Sequence, residues 1–465
     1  MGMNNTTQRT LIPLACVSLM TNSYGEEPEI EGEWAFAQLR GAYQTDGNEN
    51  FLSFNKYSIE TFSLDIFSDN RLVANGETFK WIFSDDLLVL IDPDVTENLT
   101  FNFTGDTFAL AQGTPFGDLE QESAISVVVL PPEAPFTRTN FDNTEWKIYS
   151  KRVESEEGSG SDGERFLQEV SMECVDLSLS DDLTFEAVIL ANNLAPSDVG
   201  EIITGTWQVN AGELELLIDG ELLSTGPISA GGDLIVKTEA EEDQSSFKDT
   251  LELWIKTPQT LVASDIIGRW GGDILETDLT TNPSTLEQSL EGVRYEQSDF
   301  YFNADQTLTI ITRLTNNPFD IGFVETFTWS IDGNDVLVTG SGFPARLSVS
   351  EQKDTIAVGV SELDTTSNLE EVRLTVLNKL PDAPGFAGAP IGIETVSNGI
   401  MNQVTLDAET SLLGVRYGVE KITNLTDVTL LPAVVDGDGG PFSFLVDETD
   451  DFNAFYRLKI LSLTP

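Results

Sequence analysis

From residue 31 onward, apolar and polar positions alternate with a period of two, and turn-forming residues interrupt the alternation. The stretches TFSLDIFSDNRLVANG, VDLSLSDDLTFEAVIL and SDFYFNADQTLTIITRL each alternate, turn at an Asp or Asn pair and alternate again. This pattern is typical of antiparallel β-hairpins. One stretch, 281–293, is instead predicted to form a short helix, capped by Ser284 or Thr285 with Glu287 near the capping-box position. The chain is therefore predicted to be all-β, with helix rare.

Three units of this pattern follow one another, and each contains two tryptophans in the same places. The first tryptophan of a unit follows a short polar lead, and the second lies in a hairpin, as in ETFTWSIDGNDVLV. The pairs are Trp34 and Trp81, Trp146 and Trp207, and Trp270 and Trp329. We expect each pair to be buried as two large apolar anchors of one barrel core.

Proline-bearing joints set the predicted domain boundaries. The joints are VVVLPPEAPFTRTNFDNTEW, IKTPQTLVASDIIGRW and NKLPDAPGFAGAPIGIE. Because proline stiffens a linker, they indicate a string of domains rather than one globule. The predicted segments are a signal peptide at 1–25, β-domains at 31–130, 141–257 and 265–379, and a C-terminal β-sandwich at 390–465.

The three units resemble the lipocalin-like domains of secreted bacterial proteins. In those domains a G-x-W strand precedes L-x-F-x-x-D-G-T-hydrophobic and then G-x-W-x-x-x-G-x-x-L-x-hydrophobic. The third unit matches with GRW, FYFNADQTLTI and FTWSIDGNDVLV, the other two match more weakly, and the second carries the acidic insertion VESEEGSGSDGE. The resemblance covers 31–378 and implies three tandem antiparallel β-barrels or meanders.

The tail resembles a C-terminal β-sandwich module of secreted proteins from Verrucomicrobia and Planctomycetes. The matching residues are Tyr417, Val419, Glu420, Leu425, Asp427 and the closing FYRLKI from Phe455. The tryptophan that usually follows the T-D-L segment is missing. The resemblance implies an accessory, surface-associated module and no common enzymatic activity.

The charge balance excludes one class of partner. The chain carries 78 Asp and Glu against 24 Lys and Arg, a formal net charge of −54. A field of that sign repels phosphate backbones, so we expect no nucleic acid, and it disfavours anionic membrane surfaces. It favours cations or a salty medium, either as a solubility strategy or as a specific cation dependence. The absence of histidine removes the usual general base and the commonest zinc ligand.

The N-terminus is predicted to be a signal peptide. Arg9 precedes the apolar stretch 11–20, and Ser23 and Gly25 fit a cleavage site. The stretch is too short to span a bilayer, so no integral membrane span is expected. The predicted location is secreted or at the cell surface, extracellular or periplasmic. A lipoprotein box ending at Cys16 and a disordered cytosolic leader are the alternatives.

The remaining candidate chemistry is sparse. In VVDGDGGPF, Asp436 and Asp438 lie at alternate positions of a glycine-rich turn, which suits Ca²⁺ but equally an ordinary hairpin. No catalytic residues and no other cofactor are expected, because among 78 acids any carboxylate pair can be found. Cys174 alternates with apolar positions and is predicted to be a small core residue rather than a nucleophile.

These patterns indicate a non-enzymatic, secreted or cell-surface structural or adhesive protein, and a subunit of an extracellular assembly or filament is one version of that role. Its partners would be other extracellular proteins, copies of itself or surface glycans, which exposed sheet edges can pair with or hold. Two rivals remain open: a carrier of a small apolar ligand inside the barrels, and an enzyme with an unrecognised carboxylate site.

Overall fold

The structure is a computed structural model that describes most of the chain between residues 32 and 380. The described ranges are 32–45, 51–67, 71–74, 77–84, 87–91, 98–104, 106–113, 120–157, 165–243, 246–282, 284–316, 320, 323–340 and 345–380. Six further strands lie between 392 and 463, and their description is limited to the backbone. The described residues are overwhelmingly in antiparallel strands, which confirms the all-β prediction.

The first repeat, 32–129, is a closed barrel of eight strands. Each strand pairs with the next, and β8 pairs back with β1. The strands are β1 (Gly32–Thr45), β2 (Phe51–Phe67), β3 (Arg71–Ala74), β4 (Glu77–Ser84), β5 (Leu87–Ile91), β6 (Asn98–Thr104), β7 (Thr107–Gly113) and β8 (Glu120–Val129).

The second repeat, 144–256, is an eight-stranded sheet in the same up-and-down order. Its end strands, β14 and β15, are not paired with each other. The segment after β14 instead joins the two ends of the curved sheet. Ile228 forms one β-bridge with Ile235, and the Val236 N–H donates to the Pro227 carbonyl. The strands are β9 (Thr144–Glu157), β10 (Arg165–Leu179), β11 (Thr184–Asn192), β12 (Ile202–Asn210), β13 (Glu213–Ile218), β14 (Glu221–Ser224), β15 (Leu234–Asp243) and β16 (Ser246–Lys256).

The third repeat, 268–379, is again a closed eight-stranded barrel. The short helix α1 (Ala263–Ile266) precedes it, and 3-10 turns lie at Arg138–Asn140 and Pro196–Asp198. The strands are β17 (Gly268–Thr281), β18 (Gln288–Phe302), β19 (Thr307–Thr315), β20 (Val324–Asp332), β21 (Asp335–Thr339), β22 (Ala345–Val349), β23 (Thr355–Asp364) and β24 (Leu369–Lys379).

The C-terminal part forms two antiparallel three-stranded sheets, in the orders β25–β26–β29 and β28–β27–β30. The strands are β25 (Gly392–Ser397), β26 (Asn402–Ala408), β27 (Val415–Thr423), β28 (Asp427–Asp436), β29 (Phe442–Glu448) and β30 (Ala454–Leu463). These strands belong to one compact unit, and the three repeats belong to another.

The tryptophans occupy equivalent buried positions. Trp34, Trp146 and Trp270 are each the third residue of the first strand of a repeat and are at most 1 % exposed. Trp207 and Trp329 are buried in the same core as Trp146 and Trp270 respectively, which confirms the prediction for the second and third repeats. In the first repeat Trp34 stacks on Phe108, with ring centroids 4.2 Å apart. The side chain of Trp81 lies outside the described residues.

One turn explains why the second tryptophan recurs. The indole N–H of Trp207 donates to the Ser180 carbonyl at 3.0 Å, and that of Trp329 donates to the Asn303 carbonyl at 3.1 Å. In both turns an aspartate, Asp182 or Asp305, accepts the backbone N–H two residues later. The repeated sequence therefore encodes a hairpin turn that anchors an indole ring.

The prediction of a string of separate domains is wrong for the three repeats. All three contribute to one hydrophobic core built from the outward faces of their strands, which we call the shared core. Leu39, Leu253 and Leu374, one from each repeat, are 0 % exposed within it. The last strands are apolar on both faces: Leu253 faces the shared core, whereas neighbouring Trp254 faces the interior of its own repeat. Burial of both faces joins the repeats into one body.

The predicted helix at 281–293 is also wrong. Strand β17 runs to Thr281, and β18 begins at Gln288. Between them the Asn282 side chain accepts the backbone N–H groups of Ser284 and Thr285, as an N-cap would. The Asn282 N–H then donates to the Glu287 carbonyl, which closes a hairpin instead of starting a helix. No helix among the described residues is long and apolar enough to cross a membrane.

Candidate functional site

The three repeats meet in a cyclic arrangement of equivalent junctions. Strand β15 of the second repeat contacts β1 and β2, β23 of the third contacts β9 and β10, and β7 of the first contacts β17 and β18. In each junction, the second-last strand of one repeat packs against the first two strands of another. The equivalent position of the first strand at each junction lies three residues after the first tryptophan of its repeat. These positions hold Ala37, Tyr149 and Asp273. Their side chains differ greatly in size, and so do the junctions.

The junction between the second and third repeats is tightly packed. The Tyr149 hydroxyl lies 2.7 Å from Ser348 Oγ, and Lys147 Nζ donates to Asp335 Oδ2 at 2.8 Å. Burial acts to lower the pKa of Lys147, but the hydrogen bond and charge of Asp335 outweigh it and raise that pKa. Gly359 lies directly beneath Met172 and Tyr149, where even a Cβ atom would clash. Large side chains from β9 and β10 therefore fill this junction.

The junction between the third and first repeats is sealed by buried polar groups. Asp273 Oδ1 accepts the backbone N–H of Ala111 at 2.8 Å, and Gln297 Nε2 donates to the Ala111 carbonyl at 3.0 Å. Asp273 is 0 % exposed. Its carboxylate therefore fixes β7 against β17.

The junction between the first and second repeats contains a groove of about 1060 Å³. On one side lie Ala35 and Ala37 with their cross-strand neighbours on β2, Ser63 and Thr61. Opposite them lie residues of the second repeat between Thr225 and Thr238, Pro227 among them. The lining also includes Gly226, Val236, Thr238, Val129, Leu130 and the charged residues Glu33, Glu133 and Lys237. Two alanines stand where the next junction has Lys147 and Tyr149, so the groove remains partly open.

A strand edge borders the groove. Strand β15 pairs with β16 over its whole length, from Leu234 to Asp243. On its other side, the described residues bond β15 only at its start, through Leu234, Ile235 and Val236. Beyond this point the strand continues through Lys237 and Thr238, which line the groove, into an exposed acidic end. An open edge beside a groove can accept an additional extended strand.

A second feature is a carboxylate cluster on the third repeat. The acceptor atoms of Glu276, Asp278 and Glu371 lie within 4.8 Å of one another. Arg294 contacts Glu276 and Asp278, and Arg373 contacts Glu276 and Glu371. Burial acts to raise the pKa of Glu276, but Arg373 and Arg294 lower it, whereas burial and the Glu276 charge raise the pKa of Asp278 to about 6. The two arginines already pair with these three acids, so the cluster is an ion-pair network.

A third feature is a trio of aspartates, one from each repeat. The backbone carbonyls of Asp106, Asp233 and Asp354 accept equivalent N–H groups at the ends of the last strands. The repeats are also linked directly, because Gly231 N–H donates to Asp106 Oδ2 and Gln352 N–H donates to Asp233 Oδ2. Burial, followed by the charge of Asp233, raises the pKa of Asp106, and the same causes raise that of Asp354 to about 6. The trio therefore concentrates like charges where the repeats meet.

The site residues predicted from sequence have mixed outcomes. Asp436 is the last residue of β28, opposite Arg416, and Asp438 lies outside the described residues. The candidate Ca²⁺ site therefore stays a prediction. Cys174 packs against the shared core, and burial raises its pKa to about 12, which keeps the thiol protonated. It therefore behaves as the predicted core residue.

Sequence reasoning missed the groove, although a signal for it exists. The first tryptophans are followed by AFA, KIY and GGD. The first and third residues of each triplet face a junction. In the first repeat both of these residues are alanine, Ala35 and Ala37. The small size of these two residues predicts an open junction only when it is known that the outward faces of the repeats pack against one another.

Comparisons with known proteins find distant structural neighbours. No protein-family model and no curated protein matches the chain. Transferrin Binding Protein B from Haemophilus parasuis, in a mutant form, aligns at 8 % identity and a TM-score of 0.23, over 76 % of this chain and 77 % of that one. The isotype 1 protein of the same name from serogroup B Neisseria meningitidis aligns at 9 % identity and a TM-score of 0.23, over 75 % and 77 %. TM-scores this low carry no argument about what this chain binds.

Proposed function

We propose that this protein is a non-catalytic, secreted or cell-surface protein that acts in adhesion or extracellular assembly. Its partners would be other extracellular proteins, further copies of itself or surface glycans. The proposal includes the resemblance of the three repeats to lipocalin-like domains and that of the tail to a β-sandwich module of secreted proteins.

The observation that carries the proposal is the distribution of packed and open space. In the second and third repeats the inward side chains form contiguous apolar clusters around Trp207 and Trp329. The groove lies outside these barrel interiors, between two repeats and beside a strand edge. Interior packing favours a scaffold that binds through its outer surfaces over a carrier that encloses a ligand.

The chemistry of the acids supports a non-catalytic role. Glu276, Asp278 and Glu371 are held by Arg294 and Arg373. A carboxylate that must act as a general acid or base has to reach a substrate, and these are committed to ion pairs. The enzyme alternative therefore receives no support from this cluster.

Location and attachment test the proposal together. Intact producing cells would be treated with protease, fractionated and probed for this chain, with a cytosolic enzyme as the marker of lysis. We expect the protein in the medium or in the protease-accessible surface fraction, with its mature start near Glu26 by mass spectrometry. We further expect that deletion of its gene reduces attachment or surface assembly. An intact chain that retains Met1 in the cytosol would overturn the proposal.

A further inference from the structure

We propose that the groove between the first two repeats binds an extended, cationic segment of a partner protein, which adds as a strand to the edge of β15. This inference rests on the proposed function and specifies the site and the partner chemistry.

The edge of β15 that faces away from β16 borders the groove. The Val236 N–H donates to the Pro227 carbonyl, so it points away from β16. Hydrogen-bonding directions alternate along a strand, so the N–H groups of Thr238, Ala240 and Glu242 point the same way. Among the described residues no neighbouring strand pairs with this stretch. It therefore offers consecutive donors and acceptors to an incoming strand.

The chain segment that closes the second repeat cannot extend along this edge. Gly226 lies directly against Val236 and Lys237, where a Cβ atom would meet the Val236 carbonyl oxygen at 1.9 Å, so the neighbouring segment covers the edge as far as these two residues. Pro227 has no N–H group to donate, and the described residues show no strand pairing with this edge beyond Val236. In the third repeat the equivalent strand is covered on its outward face, because Gly359, the counterpart of Thr238, lies beneath Met172 and Tyr149. The first junction has no such cover, because Ala37 replaces the tyrosine.

The charges around the edge select a cationic occupant. Glu239, Glu241, Glu242 and Asp243 are exposed at the end of β15, and Glu33 lies on the opposite side of the groove. Lys237 already contacts Glu239 at 2.9 Å and Glu252 at 3.8 Å, and Lys248 is 4.0 Å from Glu241. Lysine or arginine on an incoming strand would form favourable cross-strand pairs with these acids.

The same charges disfavour the other available strands. The β15 edge of a second copy would place glutamates opposite glutamates, which destabilises a strand pair. The chain's own residues 26–31, EEPEIE, are acidic and contain a proline. A basic segment of another protein is therefore the occupant that the site favours.

Binding can be measured with a fluorescein-labelled peptide of about ten residues that alternates lysine and threonine, the length of a long strand. Fluorescence anisotropy with the whole mature chain should show saturable binding at physiological salt. The decisive control is the same peptide with N-methyl groups on alternate residues, because it keeps the charge but cannot pair as a strand. Equal binding of both peptides would mean non-specific attraction to an acidic protein and would overturn the inference.

Two substitutions that preserve the net charge locate the site. Ala37→Tyr should fill the groove as Tyr149 fills the next junction, and Thr238→Pro removes an outward N–H at an edge position where proline is tolerated. Each should weaken binding about tenfold or more. Thr206→Tyr, on an exposed outward position of β12, is the matched control and should bind like the wild type. Melting curves identify any variant that fails to fold, and unchanged binding by a folded Thr238→Pro variant would refute the site.

The outcomes separate this inference from the proposed function. A surface protein that supports attachment but does not distinguish the two peptides would overturn only the groove. A cytosolic chain that binds the unmethylated peptide through β15 would overturn only the proposed location and role.

Discussion

At the scale of single residues, the repeats differ most informatively where a charge replaces an apolar side chain. Five residues after the first tryptophan stand Leu39, Lys151 and Leu275. All three are 0 % exposed, so Lys151 carries its ammonium group into the shared core. Its Nζ donates to the carbonyls of Leu275 at 3.1 Å and Val372 at 2.9 Å. Burial lowers its pKa to about 7.

Lys151→Leu should stabilise the protein by about 2–4 kcal/mol at neutral pH, because it removes a desolvated amine from a site where the other repeats have leucine. Between pH 7 and the ordinary lysine pKa of about 10.4, the unfolded chain binds one more proton than the folded chain. Wild-type stability should therefore rise with pH in that window relative to the variant. Urea unfolding at several pH values measures both effects, and a constant difference between the two proteins would contradict the assignment.

Asp354→Asn should stabilise the protein above pH 6 by about 1–3 kcal/mol. Burial and the charges of Asp233 and Asp106 raise the folded pKa of Asp354 to about 6, so the folded chain binds more protons between pH 4 and 6. Wild-type stability therefore falls as pH rises through that window, and the asparagine variant should lose this dependence. Thermal melts from pH 4 to 8 test it. Asp364→Asn is the control, since hydrogen bonds from Ser367 and Thr366 lower the pKa of Asp364 and its variant should gain nothing.

At the scale of elements, the turn before the second tryptophan links sequence and structure most directly. Leu183 and Gln306 adopt positive φ angles of 67° and 68° in equivalent turns. The lipocalin-like pattern has glycine at this place, in D-G-T, where the third repeat reads DQT. An L residue in this conformation is strained, whereas glycine adopts it freely. The positive φ angle therefore marks this turn position as one that favours glycine.

Gln306→Gly should stabilise the third repeat by about 0.5–1 kcal/mol, since Gln306 is exposed and contributes no core contact. Thr309→Gly, in the extended strand β19, should destabilise it by a similar amount. Chemical denaturation of the two variants against wild type measures the difference. A destabilised Gln306→Gly variant would show that the turn is not strained.

Much of the element pattern was predictable, and the failures have specific physical causes. Alternation and the aspartate turns predict the hairpins, because one face of each strand is buried inside its own repeat. The helix predicted at 281–293 failed because the Asn282 side chain caps backbone N–H groups in a hairpin as readily as in a helix. The groove was not predictable from one repeat, because it is a gap between Ala37 and residues more than 180 positions away.

At the scale of the whole molecule, the shared core couples the three repeats. It buries outward-facing leucines and valines that an isolated barrel would expose to water. The signal in the sequence was the run of apolar residues in each last strand, such as SAISVVVL at 123–130. Such runs indicate strands buried on both faces, and proline-bearing joints do not override that burial.

The second repeat expressed alone, residues 141–257, should therefore be aggregation-prone or only loosely folded. Its outward residues Val153, Leu251 and Leu253 are 0 % exposed in the full structure and would face solvent. The fragment 27–381 should instead unfold in one cooperative transition. Solubility and near-UV circular dichroism of the two fragments decide the matter. A soluble, well-packed second repeat would show that the shared core is not needed for its folding.

The net charge of −54 should make stability depend on salt. Like charges spread over a compact body repel one another, and folding brings them closer than they are in the unfolded chain. The melting temperature of the full chain should therefore be lower in low salt and should recover as NaCl is added.

Ca²⁺ at matched ionic strength tests the loop at Asp436 and Asp438, since one bound ion at hundredfold excess over its dissociation constant would add about 2.7 kcal/mol. If Ca²⁺ raises the melting temperature above the NaCl curve and Asp436→Asn abolishes the increment, the loop binds the ion. If the curves coincide, screening alone accounts for the effect, and a melting temperature indifferent to NaCl would contradict the repulsion argument itself.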